Sequence, residues 1–101
     1  MDDKSTEETE YGEEVFMLRL FVSGTSPNSV KAINNLKAIC ESNLAGRYEL
    51  EIIDIHQQPE LVKNDDVAAV PMLIKNLPLP KRRLVGDMSE KDKVLKGLGL
   101  L

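Results

Sequence analysis

The sequence predicts one α/β domain with the element order β-α-β-α-β-β-α. Three features carry that expectation. Val15–Val22 is an almost unbroken apolar run, Asn28–Leu44 repeats apolar residues at helical spacing, and Tyr48–Ile55 begins by alternating as a strand does. A strand, a helix and a strand in succession form a parallel pair with a right-handed crossover, so the long helix covers one face of a mixed sheet. A chain of 101 residues has room for one core and not two.

Each element has a local cause. In Val15–Val22 only Arg19 interrupts the apolar run, the mark of a central strand covered on both faces. Gly24-Thr25-Ser26-Pro27 ends it; the Ser26 hydroxyl suits a helix cap and Pro27 the first helical position. Val30, Ala32, Ile33, Leu36, Ile39, Cys40 and Leu44 fall on one half of the helix, and Gly46 supplies the stop. Tyr48–Ile55 alternates at first and ends apolar at Ile53 and Ile55. Pro59 opens a short helix running to about Asp66. Met72–Ile74 reads as a short strand, Leu77–Pro80 as a stiff turn, and Arg83–Val85 as a strand pairing back on Met72–Ile74. Ser89 reads as the cap of a last helix with Asp92 as a weak capping box, and Gly97 and Gly99 make its end a poor helix.

Charge is unevenly placed. Residues 1–14 hold seven acids (Asp2, Asp3, Glu7, Glu8, Glu10, Glu13, Glu14) against Lys4 alone, and read as an acidic, disordered tail; residues 15–101 form the domain. The formal net charge of −4 therefore belongs to the tail. Two Phe, two Tyr and no Trp give little for a base-stacking nucleic-acid surface. One cysteine and one histidine leave no disulfide and no thiolate or histidine cluster for a metal. No apolar run approaches the roughly 20 residues of a membrane span, and the acidic start is unlike a secretory signal. The expected compartment is the cytoplasm.

The chemistry expected of this element order is missing. A strand–helix–strand unit followed by a hairpin and a helix is the thioredoxin arrangement. Thioredoxin-like oxidoreductases place Cys-x-x-Cys at the head of the first helix, where the helix dipole favours thiolate. Here that turn is Thr25-Ser26-Pro27-Asn28, which cannot exchange a disulfide. Cys40, mid-arc on the helix, reads as an inert core thiol. Val70-Pro71 resembles the cis-proline that faces the thioredoxin site. His56 reads as a loop residue with no partner for acid–base work. No phosphate-binding glycine loop is present, so no catalytic residue, cofactor or metal is expected. Lys81-Arg82-Arg83 is the one basic cluster, and guanidinium groups suit carboxylates at an interface.

The segments Leu18–Val30 (LRLFVSGTSPNSV), Ile53–Ile55 (IDI), Val70-Pro71, Leu77–Asp87 (LPLPKRRLVGD) and Lys93–Leu98 (KVLKGL) together resemble the KaiB family of circadian-clock proteins. The resemblance spans about Val15 to Leu101. It implies a non-catalytic, thioredoxin-like protein that binds a KaiC-type ATPase and forms dimers or tetramers. It also implies a second, ground-state fold of order β-α-β-β-α-α-β. In that reading Val15 to Asp54 is constant and Val67 to Leu101 switches. Pro71, Pro78, Pro80, Gly97 and Gly99 are the structural positions of the switching half.

The resemblance also suggests a partner-binding set: Lys31, Glu49, Glu51, Asp66, Lys81, Arg82 and Arg83. Cyanobacterial members tend to carry an uncharged and then a basic residue where this chain has Glu49 and Glu51. A basic residue is replaced by Asp66, and Gly99 stands where an acid is common. Reversed charges at an interface change partner choice, which points to a divergent ATPase. A thioredoxin-fold adaptor in stress or signalling, without an oscillator, is the alternative.

Overall fold

The structure is a computed structural model, and it describes residues 14–101. The acidic tail therefore lies, except for Glu14, outside the described residues. The elements are β1 (Phe16–Val22), α1 (Pro27–Leu44), β2 (Tyr48–Asp54), α2 (Pro59–Asn64), β3 (Met72–Leu77), β4 (Arg82–Val85) and α3 (Lys91–Leu98). This is the predicted order. The sheet runs β2-β1-β3-β4, with β1 parallel to β2 and the other pairs antiparallel.

The two faces of the sheet are covered unequally. Phe16, Leu18, Leu20 and Val22 of β1 point with Leu73 of β3 into a core closed by Ala32, Leu36, Ile39, Cys40 and Leu44 of α1 and Val94, Leu95 and Leu98 of α3. On the other face Phe21, Ile53, Met72 and Ile74 form a smaller cluster under Leu61 and Val62 of α2. That helix is only six residues long, so it covers one end of its face. β1 is thus covered on both sides only toward Val22; Met17 and Arg19 stay half-exposed.

Local chemistry explains the starts and stops. The Ser26 hydroxyl accepts a hydrogen bond from Ser29 N at 3.3 Å, with Pro27 as the first helical residue. α1 departs from expectation at two positions. Val30 is exposed, and Ser29 takes the buried place, its hydroxyl accepting from Ser23 N at 2.9 Å. The cause is the helix's start, where the face toward β1 falls on the residue that can also satisfy the preceding turn. β2 is an edge strand, so only Ile53 is fully buried and Ile52 is exposed.

The last helix begins later than predicted. Its N-cap is Glu90, without a side-chain cap bond. Ser89 instead donates its backbone N–H to Asp87 Oδ1 at 3.0 Å, closing a turn rather than a capping box. Gly97 is not a weak point in α3. A Cβ there would lie 2.3 Å from Leu84 Cδ1, so glycine lets α3 lie directly on β4. Gly99 ends the helix in the left-handed region at φ +81°, where its N–H closes on Lys96 O. The peptide bonds before Pro71, Pro78 and Pro80 are cis.

Candidate functional site

The head of α1 is where this architecture would place redox chemistry. A shallow cleft there is lined by Ser23, Ser26, Pro27, Asn28, Val70 and Pro71, with the cis-proline facing the turn as expected. The cleft carries serine hydroxyls and no thiol. Ser26 Oγ donates to Ser29 Oγ at 2.8 Å, and Ser23 Oγ shares a 3.2 Å hydrogen bond with His56 Nε2. His56 therefore has a partner that sequence reasoning missed, brought close by the parallel β1–β2 pairing. The Asp54 carboxylate accepts from the His56 backbone N–H at 2.9 Å and not from its ring. Cys40 is fully buried on α1, well along the helix from this cleft.

The charged residues divide between the two edges of the sheet. Glu49 and Glu51 lie on β2, while Arg82 and Arg83 lie on β4; β1 and β3 stand between them. Three strand spacings make that separation about 14 Å. The predicted partner-binding set is therefore not one cluster.

On the acidic side, Glu49, Glu51, Met17, Arg19, Asn76 and Leu77 line an open trough beyond the reach of α2. Glu51 is already engaged there. Arg19 pairs with it across the β1–β2 register, Nε to Oε1 at 3.0 Å, and with Asp65 through Nη1 to Oδ2 at 2.7 Å. These bonds, first the one to Asp65, raise the Arg19 pKa above its ordinary value. The clamp joins β1, β2 and the end of α2. Asp66, the residue singled out from sequence, is exposed at φ +56° and takes no part in the clamp. The alternation of β2 placed Glu51 on the Arg19 face; no sequence signal distinguished Asp65 from its neighbour.

On the basic side, Lys81, Arg82 and Arg83 are all exposed. Two of them belong to β4 and only Lys81 to the turn, so the cluster is a strand edge more than a hairpin tip. Arg83 points to the α2 face, its Nη1 donating to Met72 Sδ at 3.7 Å. Arg82 points to the other face beside Lys75, its register partner. Lys75 is the buried charge the sequence did not announce. It is 4% exposed, and its Nζ lies near Gly99 at the end of α3. Lys31 does not join this group: it is exposed on α1 near Asp87, past the far end of β4. Bonds from Ser89, helped by the Lys31 ammonium, hold the Asp87 carboxyl below its ordinary value.

Several known proteins are similar to this chain. The N-terminal domain of Synechococcus elongatus SasA matches with a TM-score of 0.61 and 26% identity, covering 87% of each chain. Chloroplastic thioredoxin z matches with a TM-score of 0.66 at 13% identity over 98% of this chain and 91% of its own, a likeness of fold alone. In sequence, the circadian clock oscillator protein KaiB of Prochlorococcus marinus subsp. pastoris is 48% identical over 86 residues, 85% of this chain and 80% of that protein. The Synechococcus elongatus protein of the same name is also 48% identical, over 85% of this chain and 84% of its own. The KaiB domain model matches residues 19–100. With a thioredoxin-like sheet, no cysteine where the dithiol would stand and this match over most of its length, the chain belongs to the KaiB family.

Proposed function

We propose that the chain is a non-catalytic clock protein that docks on a KaiC-type ATPase and modulates its state. The observation that carries this reading is the exposed basic edge of β4, Lys81-Arg82-Arg83, on a fold whose redox cleft has no thiol. An edge strand offers unpaired backbone groups, and guanidinium groups give bidentate recognition of carboxylates. Lys31, Glu49, Glu51 and Asp66 extend the proposed contact, with Glu51 the least available because of Arg19. The relatives' name and the likeness to the SasA domain support a clock role. No helix among the described residues is long and apolar enough to cross a membrane.

The reading includes a fold change of Val67 to Leu101, with Val15 to Asp54 constant and a homo-oligomeric ground state. The small size of β4 and α3, four and eight residues, supports it, because few local contacts commit that half to one packing. Two measurements test the proposal. In size exclusion with a hexameric KaiC-type ATPase, the wild type co-elutes and Arg82→Glu with Arg83→Glu does not; no complex with any KaiC relative overturns docking. Heteronuclear NMR showing a single secondary structure, with and without the ATPase, overturns the fold change.

A further inference from the structure

We propose that the acidic segment 1–14 is a built-in ligand of the basic β4 edge, occupying Lys81, Arg82 and Arg83 until an acidic partner displaces it. The topology brings the two together. β1 starts at Phe16, and Met17 pairs with Leu77, the last residue of β3. The chain turns there and enters β4 at Arg82, opposite Lys75. The segment therefore joins the sheet at the end that carries the three bases. From β1 to β4 is two strand spacings, about 10 Å, whereas fourteen residues extend to about 45 Å. A segment of that length is long enough to span the distance.

Charge and field support this occupant. The segment holds seven acids against one lysine, and the edge presents three consecutive bases. Glu14, the last residue of the segment, is exposed, and its charge already acts on Lys75 at this end of the sheet. Exposed ion pairs are individually weak, about 0.2–1 kcal/mol each. A short tether, however, holds the acids at an effective concentration on the order of millimolar. Several weak pairs at that concentration make a contact that salt or a better-shaped acidic surface displaces. The role as competitor rests on the docking proposed above; the contact itself does not.

The test uses the full chain and a variant with Glu7, Glu8, Glu10, Glu13 and Glu14 changed to Gln. In amide NMR spectra the two forms are expected to differ at Lys81 to Leu84 in low salt and to converge in 0.5 M NaCl. Identical signals there in low salt overturn the contact. Titrated with a KaiC-type ATPase ring, the neutralised variant is expected to bind about three- to tenfold tighter. The gain is expected to shrink when Arg82→Gln and Arg83→Gln are added to both forms, because the tail then has Lys81 alone to cover. Unchanged affinity, or a gain that survives the arginine changes in full, overturns the competitor role. A ring that binds neither form overturns the docking proposal, while the low-salt NMR difference still upholds the contact.

Discussion

Cys40 and the Asp65–Asp66 pair show how much one residue's surroundings decide. Burial, with a smaller contribution from Glu41, pushes the Cys40 thiol pKa up to about 11. At neutral pH it is therefore held as thiol, the unreactive form. The expected outcome is that a disulfide reagent such as DTNB labels native protein very slowly and labels it at once in denaturant; fast native labelling would contradict the burial. Insulin reduction is expected to stay at background, because a lone thiol has no resolving partner. The two aspartates differ in the opposite sense. Asp65 closes the Arg19 clamp with its side chain only 15% exposed, whereas Asp66 faces solvent. Asp65→Asn is expected to destabilise the fold by about 1 kcal/mol and Asp66→Asn to change it by a few tenths at most. Urea midpoints for the two variants check this, and equal losses would mean that the clamp is not a stabilising contact.

At the scale of elements, α3 on β4 is the packing most sensitive to a single atom. A methyl group at position 97 would meet Leu84 Cδ1 at 2.3 Å and Cγ at 2.9 Å, so the branch point of that side chain and not only its tip has to move. In an open helix Gly→Ala is stabilising, by about 1 kcal/mol. Here overpacking opposes it, and Gly97→Ala is expected to destabilise the domain by about 1–3 kcal/mol. Denaturant unfolding decides the sign, and a stabilised variant would show that α3 does not sit this close to β4. The contrast explains what was legible from sequence. β1 and α1 were readable because their local signals and tertiary roles coincide: Ser26 and Pro27 start the helix, and its apolar arc is the core face. The last helix and its end at Gly99 were readable too; Gly97 was misread because it answers to Leu84 of β4, and Ser89 because a side chain two residues before it claimed its N–H. The same holds for the site. The basic run was legible as a run. Its division between two sheet faces, the Arg19–Glu51–Asp65 clamp and the burial of Lys75 all depend on strand order and on where α2 and α3 cross the sheet.

Lys75 reports on the whole molecule, because its burial requires β1, β3, β4 and α3 to be in place together. Burial is the first cause that lowers its pKa, the charge of Arg82 adds to the effect, and Glu14 opposes it. The cation also sits near the carbonyl end of α3, which the helix dipole makes favourable and which offsets part of the desolvation. Since the folded pKa lies below the unfolded value near 10.4, the unfolded chain binds more protons in the window between the two. Stability therefore rises with pH through that window and is lower by a constant amount beneath it. Lys75→Met keeps the length of the side chain without the charge. It is expected to stabilise this packing at pH 7 by on the order of 1 kcal/mol. The gap between variant and wild type is expected to shrink as pH climbs toward 10.5, because the wild type alone regains what the buried charge costs. Unfolding curves of both proteins at pH 7, 9 and 10.5 measure that gap directly, and other titrating groups cancel in the difference. A gap that stays constant would place Lys75 in water. α3 would then not be closed over the sheet in solution, and the population in a different packing of Val67 to Leu101 would be the one being measured.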